Sequence, residues 1–154
     1  MCYFAYGTNM APREVEKWGL ALAQGVPARL EGYRLDFTYY SCPWQGGAGD
    51  IVADPASSVW GVLYPGVGEE AIRQLDEMAG VPRAYRRIDV TVTLEDGSKR
   101  RAAAYTVTDK KRDLRPTRRY MDLYLEGARS YGLPREYVAF LESIPTQDAT
   151  GAEP

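Results

Sequence analysis

Residues 85–108 read YRRIDVTVTLEDGSKRRAAAYTVT, and this stretch constrains the fold more than any other part of the chain. Two runs of strand-forming residues flank the turn sequence EDGS at residues 95–98. Asp-Gly between two such runs is typical of a β-hairpin, in which the two strands pair antiparallel. We therefore predict a long β-hairpin over these residues.

Three further segments have strand character and four have helical character. The predicted strands are residues 2–6, 28–40 and 58–66, and the predicted helices are residues 11–19, 69–80, 117–132 and 134–144. The helix at 69–80 is the clearest, because apolar residues from Ala71 to Ala79 recur at helical spacing and Gly80 is a good stop signal. Residues 41–55 are rich in glycine and proline, which predicts a loop with a short strand at residues 50–53.

The chain has the size and composition of one ordinary domain. It has 154 residues, of which 45% are hydrophobic, enough to build one core without metal or disulfide cross-links. We predict a single α+β domain over residues 1–145, although the spacing of the strands does not determine their order in a sheet. Residues 146–154 have little to bury and are predicted to form a flexible C-terminal tail.

The chain contains no histidine, and this restricts the chemistry it can perform. Ser-His-Asp and Cys-His machinery are excluded, and a zinc enzyme is disfavoured. A general base that acts near neutral pH must then be a carboxylate with a shifted pKa, a lysine, a cysteine or a tyrosine.

The charge pattern disfavours nucleic acid and membranes as partners. The net charge is −2, so bulk electrostatic attraction to nucleic acid is not expected. The basic run KKRDLRPTRR (110–119) favours a solvated loop, with contact to RNA as the alternative. Cys2 and Cys42 form neither a CxxC pair nor a metal-binding spacing, and no signal peptide or apolar run of membrane-spanning length is present, which favours a cytoplasmic location.

The segment YFAYGTNM (3–10) passes from a buried strand directly into the turn Gly7-Thr8-Asn9. Glycine allows the backbone to approach a ligand closely, and successive amides at such a turn can form an anion-binding nest. The turn has two interpretations from these residues alone: it ends a strand, or it holds a ligand.

Six segments carry a resemblance to a known family. They are YFAYGTNM (3–10), VWGVLY (59–64), LDEMAGV (75–81), YRR (85–87), AAAYTVT (102–108) and PTRRYMDLYLEGARSYGLPREY (116–137). In this order and spacing they resemble the gamma-glutamylcyclotransferase family, over roughly residues 3–144. The first segment is similar to the family's YGSN opening, with Thr8 where serine is usual.

The resemblance implies a single domain with a mixed β-barrel core and flanking helices. It implies an enzyme without cofactor or metal that acts on a small gamma-glutamyl compound, as a monomer or homodimer. The α-amine of the substrate attacks its own γ-carbonyl, which releases 5-oxoproline and the amine or amino acid that was attached. This chemistry needs a general base, a proton donor for the leaving amine, and donors that hold the developing oxyanion.

The resemblance also assigns candidate site residues. Those implied to bind the substrate are Tyr6, Gly7, Thr8, Asn9, Tyr85, Tyr105 and Tyr120. The family's catalytic glutamate lies in its LDxxEG segment, and the matching position here is Ala79. Alanine neither accepts nor donates a proton, so the chain is either a natural non-catalytic member or a form in which alanine replaces a parental glutamate.

Two neighbours carry a carboxylate that could replace the one missing at position 79. Glu77 lies two positions back, about 200° around the helix, and is predicted to point away. Asp76 lies on roughly the same face, but its side chain is short and it matches the family's own aspartate. We therefore expect the chain to bind a gamma-glutamyl or 5-oxoprolyl group without turning it over.

Overall fold

The computed structural model describes residues 1–148 and contains five strands and four α-helices within them. In chain order these are β1 (Tyr3–Ala5), α1 (Pro12–Lys17), β2 (Val26–Ser41), β3 (Gly46–Tyr64), α2 (Glu69–Met78), β4 (Tyr85–Leu94), β5 (Lys99–Val107), α3 (Arg118–Ser130) and α4 (Arg135–Ser143). A single 3₁₀ turn, Thr8–Met10, connects β1 to α1. The predicted hairpin and all four predicted helices are confirmed, with boundaries within a few residues.

The five strands close into a barrel in the order β1-β3-β2-β4-β5. Strands β4 and β5 form the expected hairpin, which pairs Tyr85 with Val107 at its open end. The barrel closes where β1 pairs parallel with β5, at Tyr3 and Ala103, while the other pairings in residues 1–148 are antiparallel. The domain is therefore α+β with a mixed barrel core, as expected.

Alternation along the strands divides the apolar residues between two cores. Residues such as Phe4, Leu30, Val59 and Val92 point one way and pack together as a core made from the strands. Their neighbours, such as Tyr3 and Tyr64, point the other way and pack with buried residues of α2, α3 and α4. The helices therefore cover one side of the barrel, and the space between them and the strands is lined by aromatic rings.

The prediction of a loop over residues 41–55 is wrong outside the turn at residues 42–45, whereas the short strand predicted at residues 50–53 lies within β3. Only a tight turn at residues 42–45 separates β2 from β3, and β3 continues as one strand through the whole glycine-rich stretch. Its glycines reflect close packing against the α3 region. A Cβ on Gly46 would lie 3.1 Å from the Thr117 methyl carbon, and one on Gly47 would lie 3.0 Å from the Leu114 Cβ. Glycine at these positions allows the segment that leads into α3 to lie directly on the strand.

Asp50 of β3 is fully buried and ties three segments together. Its Oδ2 accepts hydrogen bonds from Thr38 Oγ1 at 2.7 Å and from Lys110 Nζ at 2.8 Å. Its Oδ1 accepts from Thr106 Oγ1 at 2.7 Å and from the Val107 amide at 3.0 Å. Lys110 belongs to the basic run 110–119, so one cation of that run has a structural role.

The C-terminal residues contact the rest of the domain as far as they are described. The Gln147 amide donates to the Pro116 carbonyl at 3.0 Å, and Asp148 Oδ1 accepts from the Arg118 amide at 2.9 Å, at the start of α3. The remainder of the predicted tail, residues 149–154, lies outside the described residues. In the described part of the chain, no helix is both long and apolar enough to cross a membrane.

Replacing Asp50 should destabilise the domain strongly. Asp50→Ala removes the acceptor of the Thr38 hydroxyl and of two backbone amides in a buried site, while the Thr106 hydroxyl keeps the Ile51 carbonyl at 3.1 Å. We expect a loss of about 3 kcal/mol in the free energy of unfolding. Asp89→Ala is the matched control, because the Asp89 side chain is 76% exposed and its contact with Arg101 lies on the surface. Urea unfolding of both variants tests this, and equal stabilities would show that the Asp50 network does not hold the barrel.

Candidate active site

A cavity of about 730 Å³ opens between the strands and the helices. All eight site residues predicted from the sequence line it, although they come from separate segments of the chain: Tyr6, Gly7, Thr8, Asn9, Ala79, Tyr85, Tyr105 and Tyr120. Aromatic rings form much of the wall, and Trp18, Tyr39 and Trp44 lie on it in addition to the predicted tyrosines. The volume is in the range typical of small-molecule sites.

The Gly7-Thr8-Asn9 segment forms the 3₁₀ turn at one wall of this cavity. The Gly7 carbonyl accepts from the Met10 amide at 3.0 Å, and the Thr8 carbonyl accepts from the Ala11 amide at 3.0 Å. Within residues 1–148, the amides of Gly7, Thr8 and Asn9 donate to no protein acceptor. These three successive N–H groups are available to an anionic or carbonyl oxygen.

Gly49, in β3, connects the tyrosines of the cavity through its backbone carbonyl and its backbone amide. Its carbonyl accepts from Tyr85 Oη at 2.6 Å and lies 3.5 Å from Tyr6 Oη, which donates to the Tyr105 carbonyl at 2.7 Å. Its amide donates to Tyr120 Oη at 2.8 Å. The backbone of one residue thus contacts side chains from the end of β1, from β4 and from α3.

Residue 49 has to be glycine because of Tyr124. A Cβ at position 49 would overlap with the Tyr124 hydroxyl oxygen, and a Cβ on Gly7 would lie 3.1 Å from the same oxygen. Tyr124 follows Tyr120 by one helical turn on α3, and the two hydroxyl oxygens lie 3.2 Å apart. Because neither glycine has a side chain, the Tyr124 hydroxyl fits beside both residues and contacts the Tyr120 hydroxyl.

Tyrosine hydroxyls in this cavity stay protonated at neutral pH. Burial raises the pKa of Tyr6, Tyr85 and Tyr124 well above 10, and it raises the pKa of Tyr120 as well. Burial and the hydrogen bond to Asp76 raise the pKa of Tyr105. These side chains can donate hydrogen bonds, but none of them is a base near pH 7.

Ala79 lies at the C-terminal end of α2, where its methyl group borders the cavity. Its amide donates to the Leu75 carbonyl at 2.9 Å, and Gly80, with a φ of +65°, then turns the chain. A longer side chain at position 79 would start from the negative end of the helix dipole, beside apolar walls.

Three carboxylates lie near position 79. Asp76 accepts from Tyr105 Oη at 2.6 Å and from Arg87 Nη1 at 2.9 Å, so both of its oxygens have protein donors. Glu77 is exposed and borders the cavity at the last turn of α2, and the direction of its side chain stays a prediction. Glu14 of α1 also lines the cavity and accepts from Trp18 Nε1 at 3.1 Å.

Comparison with known proteins agrees with this architecture. The model of the AIG2-like family matches residues 58–141. The Gamma-glutamylcyclotransferase of Homo sapiens is 32% identical over 154 residues, which span 97% of this chain and 81% of that protein. The protein of the same name from Bos taurus is 31% identical, with the same coverage.

The chain belongs to the gamma-glutamylcyclotransferase family.

Solved structures support the assignment. A structure titled "Gamma-glutamyl cyclotransferase" superposes with a TM-score of 0.91 at 31% identity, covering 98% of this chain and 91% of that one. A yeast gamma-glutamyl cyclotransferase specific to glutathione has a TM-score of 0.63 at 11% identity, a likeness in fold alone. The expected barrel with flanking helices is thus confirmed as the fold of a gamma-glutamylcyclotransferase.

Sequence reasoning missed Gly49 and Tyr124 in this family member. Both line the cavity, and each contacts the Tyr120 hydroxyl: the Gly49 amide donates to it at 2.8 Å, and the Tyr124 hydroxyl oxygen lies 3.2 Å from it. The signal was present in the sequence as the run GGAG at residues 46–49, but it was interpreted as a loop. The spacing of Tyr120 and Tyr124 on one helix face was the second signal, and it could have indicated a pair of adjacent hydroxyl groups.

The contact between Gly49 and Tyr124 predicts a pair of mutations that compensate each other. Gly49→Ala places a methyl group against the Tyr124 hydroxyl and should reduce the free energy of unfolding by about 2 kcal/mol. Adding Tyr124→Phe removes the colliding oxygen and should recover at least half of that loss. Gly68→Ala is the control, because no atom lies within 4 Å of a Cβ there. Tyr124→Phe alone completes the cycle. Denaturant unfolding of the four variants measures this, and strictly additive losses would contradict the proposed contact.

Proposed function

We propose that the cavity binds a small gamma-glutamyl compound and that the fold, with a carboxylate at position 79, cyclises it. In this reaction the lone pair of the substrate's α-amine forms a bond to its γ-carbonyl carbon, and the bond from that carbon to the leaving nitrogen breaks. The α-ammonium loses two protons as its nitrogen becomes the lactam N–H, and the carboxylate passes them to the leaving nitrogen, which departs as an ammonium group. The products are 5-oxoproline and a free amine or amino acid, and no cofactor takes part.

The observation that carries this proposal is the meeting of all eight implied positions at one cavity. The free amides of the 3₁₀ turn suit the oxygens of the glutamyl group. The protonated tyrosines suit hydrogen bonding to a carbonyl oxygen that becomes negative in the transition state. Position 79 adjoins this donor set from the end of α2, where a carboxylate would have a raised pKa because of the helix dipole and the apolar walls.

The chain as it stands is proposed to bind without efficient turnover. Alanine cannot take the ammonium proton, the tyrosines are protonated, and both oxygens of Asp76 are engaged by Tyr105 and Arg87. Two alternatives explain a chain without this base. It is a natural pseudoenzyme that holds gamma-glutamyl or 5-oxoprolyl groups, or it is an enzyme whose parental glutamate has been replaced.

We also propose a cytoplasmic location, a monomeric or homodimeric state, and neither nucleic acid nor membrane as a partner. Residues 1–148 contain no group of three or more His, Cys, Asp or Glu side chains that could hold a metal ion. The domain itself is proposed to end near residue 145, with Gln147 and Asp148 docked against the start of α3.

Restoring the carboxylate should restore turnover. We expect Ala79→Glu to release 5-oxoproline from gamma-glutamyl compounds about 10² to 10⁴ times faster than the unmodified chain, the usual contribution of a general base. The rate should rise with pH through a carboxylate pKa above the ordinary value of about 4.3, because only the ionised form accepts the proton. Chromatographic measurement of 5-oxoproline over a panel of gamma-glutamyl amino acids and amines tests this and identifies the leaving group.

Controls for this experiment use the other carboxylates of the cavity. Ala79→Gln has a side chain of similar size without a base and should remain inactive. Glu14→Gln and Glu77→Gln, each made in the unmodified chain, determine whether either residue supports residual turnover. An unmodified chain that turns over as fast as Ala79→Glu would place the base elsewhere. A residual rate abolished by Glu77→Gln would then assign the base to that residue.

A further inference from the structure

We propose that Tyr124 is a positioning residue: its hydroxyl donates to Tyr120 Oη and thereby directs the Tyr120 O–H into the cavity. The inference rests on the proposed function, because it concerns how the cavity presents a hydrogen-bond donor to its ligand. It follows from the hydrogen-bonding capacity of the hydroxyl groups around Gly49.

Tyr124 has one acceptor in the described part of the protein. It borders the cavity but is 0% exposed, whereas Tyr120 is 6% exposed, so of the two hydroxyls that of Tyr120 is the more accessible to a ligand. The hydroxyl oxygen of Tyr120, at 3.2 Å, is the one hydrogen-bonding partner of Tyr124 within residues 1–148. A buried hydroxyl that lacks an acceptor is costly, so the Tyr124 proton points to Tyr120. Tyr124 is therefore the donor of this pair.

Tyr120 is then left with its own proton to donate. A hydroxyl oxygen has two lone pairs, and those of Tyr120 receive the Gly49 amide at 2.8 Å and the Tyr124 hydroxyl. Within the described residues, Tyr120 Oη has no third partner that could accept its proton. Because Tyr120 lines the cavity, the remaining direction for the O–H is toward a ligand.

Burial raises the pKa of both Tyr120 and Tyr124. Both hydroxyl groups therefore stay protonated near neutral pH, and each has one proton to donate.

The other three predicted tyrosines direct their protons to the protein. Tyr6 donates to the Tyr105 carbonyl, Tyr85 donates to the Gly49 carbonyl, and Tyr105 donates to Asp76. Their hydroxyl groups therefore shape the wall, whereas the Tyr120 hydroxyl is a donor for the ligand. A donor that is already aimed does not have to reorient when charge develops on a ligand oxygen.

The orientation of Tyr124 is itself enforced by packing. Its oxygen lies close to both Gly7 and Gly49, and its ring packs between Phe37, at 6.1 Å between ring centroids, and Tyr120, at 5.2 Å. The hydroxyl cannot swing to another acceptor without displacing the turn or the strand. The packing of Tyr124 against the turn and the strand therefore determines the direction of its O–H bond.

A double-mutant cycle on ligand binding tests the assignment. The probe is 5-oxoproline, titrated by calorimetry into the unmodified chain, Tyr124→Phe, Tyr120→Phe and the double variant, with thermal melts to verify folding. We expect Tyr120→Phe to weaken binding about tenfold and Tyr124→Phe about threefold, as for loss of a hydrogen bond and loss of its orientation. In the Tyr120→Phe background, Tyr124→Phe should have no further effect, because there is no hydroxyl left to orient.

Two further variants make the result decisive. Tyr137→Phe removes a buried hydroxyl of α4 that does not line the cavity, and it should bind as the unmodified chain does. If Tyr124→Phe is too unstable, Gly49→Ala/Tyr124→Phe fills the vacated space and lacks the same donor, so it replaces the single variant in the cycle.

Each outcome has one meaning. A loss on Tyr124→Phe that disappears in the Tyr120→Phe background supports the proposal. Equal losses in both backgrounds indicate a merely structural role and overturn it, as does unchanged binding by Tyr124→Phe. If the unmodified chain binds neither 5-oxoproline nor any gamma-glutamyl compound, the proposed function fails and the inference falls with it.

Discussion

The arrangement of the cavity depends on one residue, Gly49. Its backbone carbonyl accepts from Tyr85, its amide donates to Tyr120, and its missing side chain admits the hydroxyl of Tyr124. The next residue, Asp50, is fully buried and anchors the same strand to β2, to β5 and to Lys110. The position of β3 is thus fixed from both sides, and the site takes its geometry from the barrel rather than from a flexible loop.

The sequence predicted the elements whose periodicity is strong. The hairpin, α2 and α3 have clear alternation or helical spacing with a glycine stop, and each was recovered. The strand at residues 46–49 was not predicted. Its glycines are explained by the close packing of another segment against the strand, and they do not indicate a loop. The parallel pairing of β1 with β5 could not be predicted from local sequence patterns either, because Tyr3 and Ala103 are separated by most of the chain.

The ordered motifs selected residues that lie together at the cavity. They did not predict the hydrogen bonds that those residues make. Tyr105 was expected to face a ligand, yet its hydroxyl is bound to Asp76, a contact between strand and helix that no spacing encodes. Tyr124 and Gly49 matter because they contact each other, so neither residue stands out in the sequence alone. The position of Glu77 on the cavity lining depends on how the end of α2 docks, which the helical wheel does not show.

The alanine at the end of α2 has a thermodynamic consequence separate from chemistry. A glutamate there would bring a negative charge to the negative end of a helix, a repulsion of about 0.3–1 kcal/mol, in a wall that also offers it few polar neighbours. Alanine removes that repulsion and has the highest helix propensity of any residue. Position 79 is therefore a point of trade-off between activity and stability: the residue that would make the fold reactive is one that the fold, by itself, disfavours.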